Sequence, residues 1–163
     1  ILIHGAAGGV GSAAVQLARL AGARVIGTGS GASRQYVESL GADAFVDYRT
    51  EDFAERVSMV DLVLDLIGGE AQEKSWSVLK PGGTLVSTVA RPDAARAKAA
   101  QATGRHFATR SDATQLGHLA TLHASGDLRA HIDSVFRLSD VGQALHHSKG
   151  GHVRGKIVVD VAR

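Results

Sequence analysis

Short apolar segments rich in β-branched residues alternate along the chain with amphipathic segments, and glycine-containing turns separate many of them. The apolar segments predict strands, and the amphipathic segments predict helices. Asp61–Ile67 is apolar almost throughout, which is typical of a strand covered on both faces. This alternation predicts an α/β fold whose doubly wound parallel sheet is the middle of three αβα layers. Strands are predicted at 1–3, 24–29, 44–48, 61–67, 84–89, 105–109 and 156–161, a further segment at 131–138, and helices at 13–21, 33–40, 70–79, 113–124 and 140–147.

A glycine-rich turn connects the first predicted strand to the first helix. A dinucleotide pyrophosphate needs N–H donors at a helix N-terminus and no side chain where the backbone approaches the phosphates. The G-x-G-x-x-G motif is incomplete here, because its three glycine positions hold Ala6, Gly8 and Gly11. The strand before the turn, the helix after it and a second strand nevertheless form the βαβ unit of a Rossmann fold. The candidate cofactor contacts in this turn are Ala7, Gly8, Gly9, Val10 and Gly11.

The end of the second predicted strand indicates which dinucleotide is bound. NAD-preferring folds place an acid about 20 residues beyond the glycines, where it accepts from the ribose 2′-hydroxyl. The corresponding residue is Ser30, and Thr28–Ser33 contains no acid. Hydroxyl groups and a guanidinium would bind a 2′-phosphate, so Ser30, Ser33 and Arg34 predict NADPH as the cofactor. The alternative interpretation is that Arg34 simply begins an exposed helix.

Two later strands end at the same predicted ligand edge of the sheet. Backbone groups there are candidates to border the adenosine, the ribose or the nicotinamide. Phe107, after the next strand, is a candidate to flank the nicotinamide, although it fits equally well as an ordinary core aromatic. The candidate contacts at these strand ends are Leu66, Ile67, Gly68, Ser87, Thr88, Val89 and Phe107.

Composition mainly excludes other classes of protein. The 163 residues fit one domain, predicted to cover 1–163, and the 44% hydrophobic share is enough for a core. The net charge of +2 arises without a basic cluster, so a nucleic-acid partner is not expected. No apolar run suits a membrane span, and the absence of cysteine is compatible with a cytoplasmic location. Neither pair of histidines, His118 with His123 or His146 with His147, has helical metal-ligand spacing, so no metal site is predicted.

Several ordered segments resemble the nucleotide-binding half of the medium-chain dehydrogenases/reductases. The similarity is greatest to the zinc-independent quinone oxidoreductase, or zeta-crystallin-like, branch, and it covers nearly the whole chain. In that family a GroES-like catalytic domain precedes this half, and the substrate cleft lies between the two. The segments that carry the resemblance are Gly5-Ala6-Ala7-Gly8-Gly9-Val10-Gly11, Val25-Ile26-Gly27-Thr28, Leu40-Gly41-Ala42-Asp43, Val63-Leu64-Asp65, Leu79-Lys80-Pro81-Gly82-Gly83 and His152-Val153-Arg154-Gly155-Lys156-Ile157-Val158.

The resemblance implies an NADPH-dependent oxidoreductase that transfers hydride to a quinone or an activated alkene. It adds Tyr48 as a wall of the 2′-phosphate pocket, and it implies a homodimer formed through the sheet edge near Arg105–Thr109. No residue of this chain is predicted to be catalytic, because the groups that position the small-molecule substrate belong to the GroES-like domain, which is expected to be absent. An enoyl or acyl reductase, a zinc-type alcohol dehydrogenase and a non-catalytic dinucleotide-binding module stay open as alternatives.

Overall fold

A six-stranded parallel sheet organises most of the chain. The structure is a computed structural model that describes residues 1–162. The strand order is β3-β2-β1-β4-β5-β6, and all five pairings are parallel. The sheet strands are β1 (Leu2–Ile3), β2 (Ile26–Gly29), β3 (Ala44–Asp47), β4 (Val60–Asp65), β5 (Leu79–Ser87) and β6 (Thr103–His106). The order reverses beside β1, so a crevice forms at the carboxyl ends of the strands there.

The helices are α1 (Gly11–Leu20), α2 (Arg34–Ser39), α3 (Phe53–Arg56), α4 (Gly69–Ser75), α5 (Ala94–Ala99), α6 (Ala113–Ser125) and α7 (Val141–Lys149). Glycines with positive φ follow the first two of them, since Gly22 has a φ of 78° and Gly41 a φ of 103°. Such a backbone conformation is open to glycine at little cost and ends a helix. The helix ends expected at these two glycines are therefore confirmed.

Hydrophobic cores lie on both faces of the sheet, as the three-layer prediction requires. Adjacent residues of β1 alternate between them: Leu2 packs with Phe53, Val63 and Trp76, whereas Ile3 packs in the other core. Residues on successive positions of a strand point to opposite faces, so this two-residue strand contributes to both layers. The predicted α/β doubly wound fold is confirmed.

Several predicted boundaries are wrong. Helix α3 is not among the predicted helices, and β5 begins at Leu79 instead of at the predicted residue 84. Leu66 and Ile67 follow β4 instead of ending it, because the Asp65 carboxylate accepts the Ile67 N–H and turns the chain there. The polar, alanine-rich stretch after β5 contains α5, whose first N–H groups donate to the side chain of Asp93.

The last two strands do not extend the main sheet. Strands β7 (Ile132–Arg137) and β8 (Lys156–Asp160) form a separate parallel pair, with α7 between them in sequence. Between α7 and β8 the chain returns to the glycine turn, where the Gly155 N–H donates to the carbonyl of Ala7 at 2.9 Å. This contact places the segment 151–155 beside the carboxyl ends of β1 and β2.

Candidate functional site

A cavity of about 930 Å³ opens at the carboxyl ends of β1, β2 and β4. This volume is within the usual range of small-molecule and cofactor sites, roughly 300–1,000 Å³. The glycine turn forms one side of it, the segment after β3 a second side and the segment before β8 a third. The lining residues are His4, Gly5, Ala7, Gly8, Gly9, Val10, Gly11, Thr28, Gly29, Ser30, Ser33, Tyr48, Arg49, Thr50, Glu51, Asp52, Phe53, Leu66, Ile67, Glu70, Ala71, Lys74, Gly151, His152 and Val153.

The glycine turn has two glycines whose environments differ sharply. A Cβ built on Gly8 would contact only the carbonyl oxygen of Gly5, at an ordinary 3.5 Å, so this position has free space. A Cβ on Gly11 would overlap the same oxygen and lie 2.8 Å from the Cα of Ala6. Gly8 therefore leaves room for a ligand, whereas Gly11 allows the start of α1 to pack against the turn.

The buried carboxylate of Asp65 shapes the turn after β4. It accepts hydrogen bonds from the N–H groups of Ile67 and Gly68, at 3.0 and 2.7 Å. The Ser87 hydroxyl and the Gln72 amide donate to it as well, at 2.7 and 2.8 Å. Burial acts to raise the pKa of this carboxyl, but the four hydrogen bonds favour the ionised form and lower the pKa. Asp65 is thus a turn residue whose hydrogen bonds are satisfied, while Asp61 is exposed and pairs with Lys80.

His4 lies beneath the cavity and joins three elements. Its Nδ1 lies 3.0 Å from the Thr28 hydroxyl, and its Nε2 lies 2.9 Å from the Ser75 hydroxyl. Ser75 donates its own proton to the carbonyl of Ala71, so it accepts from His4, and the neutral ring carries its proton on Nε2. Burial lowers the pKa of His4 to about 4, although the carboxylate of Asp65 acts in the opposite direction.

The sequence-predicted site residues fall into two neighbouring groups. Those that line the cavity are Ala7, Gly8, Gly9, Val10, Gly11, Ser30, Ser33, Tyr48, Leu66 and Ile67. Those that do not line it are Arg34, Gly68, Ser87, Thr88, Val89 and Phe107. Apart from Arg34, the second group clusters at the ends of β4, β5 and β6: the Phe107 N–H donates to the Ser87 carbonyl, and Val89 lies against Gly68. Phe107 is exposed, unlike a core aromatic.

Arg34 does not line the cavity. One guanidinium nitrogen donates to the Phe45 carbonyl at 2.9 Å, and another donates to the Glu51 carboxylate at 3.3 Å. The guanidinium carbon also lies 5.0 Å from the centre of the Phe45 ring. Its charge is therefore already paired within the protein, and its role in cofactor binding stays a prediction.

The parts of the cavity that sequence reasoning missed include the residues after β3 and the segment before β8. Arg49 and the residues after it follow β3, whose carboxyl end lies beside that of β2. The predicted alternation of strands and helices could therefore have placed these residues at the ligand edge of the sheet. His152 comes from the other end of the chain, and no local pattern indicates that it lies here. The Arg49 guanidinium donates to the Nε2 of His152 at 3.1 Å.

One acid also lies near the end of β2. A Cβ on Gly31 would overlap the carboxylate of Asp47, so that carboxylate adjoins the backbone at Gly31. Its other oxygen accepts the Arg49 N–H at 3.0 Å. The region has no acid in its own sequence, but β3 supplies one from the neighbouring strand.

Among residues 1–162, no three or more His, Cys, Asp or Glu side chains are grouped so that they could hold a metal ion. Within that range no helix has both the length and the apolar character that a membrane crossing needs.

Comparison with known proteins identifies relatives of the chain. Residues 40–159 match the sequence profile of a family described as zinc-binding dehydrogenase. The chloroplastic quinone-oxidoreductase QR1 of Triphysaria versicolor is 34% identical, over 98% of this chain and 52% of its own length.

Solved structures show the same likeness. The quinone oxidoreductase from Coxiella burnetii superposes with a TM-score of 0.92 at 34% identity, covering 98% of this chain and 52% of that one. CurK enoyl reductase superposes with a TM-score of 0.80 at 31% identity, covering 98% and 53%. This chain spans about half the length of each of these three proteins, and 8% of the length of a polyketide synthase subunit of Mycobacterium tuberculosis to which it is 32% identical.

Proposed function

Because the chain belongs to the zinc-binding dehydrogenase family of the medium-chain dehydrogenases/reductases, we propose that it is the cofactor-binding domain of an NADPH-dependent oxidoreductase. The proposed reaction is hydride transfer to a quinone or an activated alkene. The observation that carries this proposal is the cavity of about 930 Å³ that the glycine turn borders, with free space at Gly8. The likeness to proteins named quinone oxidoreductases supports the choice of acceptor.

The glycine turn is suited to hold the pyrophosphate. The turn ends at the N-terminus of α1, a helix of ten residues, whose end carries partial positive charge. The turn is held in place by the hydrogen bond from Gly155 to Ala7 and by the close packing at Gly11. A phosphate group bound there would face backbone with no side chain in its way at Gly8.

The remaining walls divide between polar and apolar groups. The hydroxyls of Ser30 and Ser33 are suited to the ribose and its phosphate, while Leu66, Ile67 and Phe53 offer apolar surface to a planar ring. The nicotinamide ring of bound NADPH supplies the hydride. The chain's own contribution is to bind and orient the cofactor, and the backbone turn that Asp65 holds is part of that rigid support.

Calorimetric titration of the chain with NADPH and with NADH tests the cofactor assignment. We expect NADPH to bind about tenfold to a hundredfold more tightly, because one charge-assisted hydrogen bond to the 2′-phosphate contributes roughly 1.5–3 kcal/mol. Equal affinities, or tighter binding of NADH, would contradict the assignment. The Asp47 carboxylate beside Gly31 is the group that would favour that opposite result, because a carboxylate repels a phosphate and accepts from a 2′-hydroxyl.

Enoyl reduction is the second candidate function, and the likeness to CurK enoyl reductase favours it. Both reactions use the same hydride donor, so the binding site in this chain would be the same. The parent enzyme assayed with a quinone and with an enoyl thioester separates the two. Faster turnover of the thioester, measured as kcat/KM, would make enoyl reduction the function.

A further inference from the structure

We propose that Arg49 and His152 form the subsite for the 2′-phosphate of NADPH, an inference that rests on the proposed function. The sequence points first to Arg34, which is only four residues from Ser30. Arg34 is engaged elsewhere, with the Phe45 carbonyl at 2.9 Å and the Glu51 carboxylate at 3.3 Å. Glu38 adds a second carboxylate at 3.8 Å. A phosphate would have to compete with these two acids for the Arg34 guanidinium.

Arg49 and His152 lack such partners. Both side chains are exposed and line the cavity with Ser30 and Tyr48. In the described part of the chain, no carboxylate lies within 4.0 Å of either one as an ion pair. Their one mutual contact is the hydrogen bond of 3.1 Å from the guanidinium to the imidazole. A guanidinium has five N–H donors, so Arg49 keeps donors for a phosphate while it holds His152.

Two hydrogen bonds to backbone carbonyls hold Arg49 and His152 near each other, although the two residues are 103 positions apart in sequence. The Tyr48 N–H donates to the Gly29 carbonyl at 3.2 Å, which places Arg49 just beyond the end of β2. The Arg154 guanidinium donates to the Ala32 carbonyl at 2.7 Å, which holds the His152 segment against the same end. Ser30 lies between these two contacts in the chain, at the position where the 2′-substituent of the ribose is expected.

The tautomer of His152 completes the donor set. Because Arg49 donates to Nε2, a neutral His152 carries its proton on Nδ1 and can give that proton to a phosphate oxygen. Arg154 adds a further positive charge nearby without an acidic ion-pair partner in the described chain. The Asp47 carboxylate is an opposing charge in this region, and Glu51, Asp52 and Glu70 line the same cavity.

The test uses 2′,5′-ADP and 5′-AMP, which differ only in the 2′-phosphate, together with NADPH and NADH. Dissociation constants are measured by calorimetry for the wild type, Arg49→Gln, His152→Gln and the matched control Arg34→Gln. We expect Arg49→Gln to weaken binding of 2′,5′-ADP and NADPH at least tenfold and to leave 5′-AMP and NADH within about twofold. His152→Gln should act in the same direction with a smaller effect, and Arg34→Gln should leave the preference for the 2′-phosphate unchanged.

The possible results distinguish a failure of the Arg49–His152 subsite from a failure of the proposed NADPH dependence. Unchanged binding of NADH by each variant shows that its fold and its pyrophosphate site are intact. If the wild type prefers 2′,5′-ADP but Arg49→Gln keeps that preference, or if Arg34→Gln removes it, the subsite assignment is wrong and NADPH dependence stands. If the wild type does not distinguish 2′,5′-ADP from 5′-AMP, NADPH dependence and the subsite are both wrong. An Asp47→Asn variant that then loses NADH affinity would identify that carboxylate as the group that contacts the ribose.

Discussion

His4 shows how one buried residue can couple the cavity to the pH of the solution. Its neutral ring is hydrogen-bonded on both sides, to Thr28 at the end of β2 and to Ser75 at the end of α4. The edge of its ring also contacts Phe53, with the ring centres 4.7 Å apart. A second proton on the ring would remove the acceptor at Nδ1 and place a charge where water cannot reach it.

We expect His4 to make the stability of the protein fall in mild acid. Its pKa is about 4 in the folded chain and 6.5 in the unfolded chain, so between these values only the unfolded chain takes up the proton. The stabilisation is complete above pH 6.5 and is lost as the pH falls towards 4, and a difference of about 2.5 between the two pKa values corresponds to about 3 kcal/mol. Urea unfolding followed by circular dichroism from pH 7 to pH 4 measures this loss.

A matched pair of variants isolates the His4 contribution. His4→Gln should be less stable than the wild type at pH 7 and should lose much less stability on acidification. His118→Gln, at an exposed position of α6, should follow the wild type at every pH. A wild-type pH slope that survives intact in His4→Gln would mean that other groups cause the acid sensitivity.

At the scale of elements, two glycines of the turn between β1 and α1 have different roles, one in ligand binding and the other in packing. Gly8 and Gly11 both belong to the incomplete glycine motif, and the motif alone does not distinguish their roles. In the folded chain Gly8 has open space beside it, whereas Gly11 lies against the backbone of Gly5 and Ala6. A valine side chain would therefore obstruct a ligand at position 8 and disturb the packing of α1 at position 11.

We expect Gly8→Val to weaken dinucleotide binding about a hundredfold or more while the thermal unfolding midpoint changes little. Gly11→Val should instead lower the free energy of unfolding by roughly 1–3 kcal/mol, because the overlap forces α1 away from the turn. Circular dichroism melting and cofactor titration on the same samples distinguish the two effects. Binding by a folded Gly8→Val variant at the wild-type affinity would show that the turn does not hold the pyrophosphate.

At the scale of the whole molecule, two of the surfaces that residues 1–162 leave uncovered are formed by strands. One is the outer edge of β6, whose four residues are all exposed, and the homodimer through this edge stays a prediction. The other is the β7–β8 pair, where Ile132, Val135 and Val158 are exposed although strand residues of this kind are typically packed.

We expect the 163-residue chain by itself to bind NADPH but to show no appreciable NADPH-dependent reduction of quinones or enones. Hydride transfer needs the nicotinamide and the acceptor at close distance in a cleft that excludes water, and loss of such positioning can remove several kcal/mol of catalysis. Absorbance of NADPH at its near-ultraviolet band follows turnover by the isolated chain and by the full-length parent. Turnover by the chain at the parent's rate would show that the catalytic groups reside here.

The sequence by itself determined the fold class, the glycine turn and most of the alternation of strands and helices, but it did not predict α3 or α5. These follow from local rules: β-branched runs predict strands, and glycine at positions such as 22 and 41 permits the positive φ that ends a helix. The turn was recognisable because its strand and helix neighbours are adjacent in sequence. Ten of the sixteen predicted contacts line the cavity: five belong to the glycine turn, four follow β2 or β4, and Tyr48 comes from the family resemblance.

Only the tertiary structure decided which side chains are available at that edge. Arg34 is close to Ser30 in sequence, yet its charge is taken up by Glu51 from the segment after β3. Asp47 supplies an acid beside Gly31 from a neighbouring strand, and His152 reaches Arg49 across 103 residues. Hydrophobic periodicity specifies each element and the face it buries, but contacts between distant segments depend on strand order, register and the path of the returning chain.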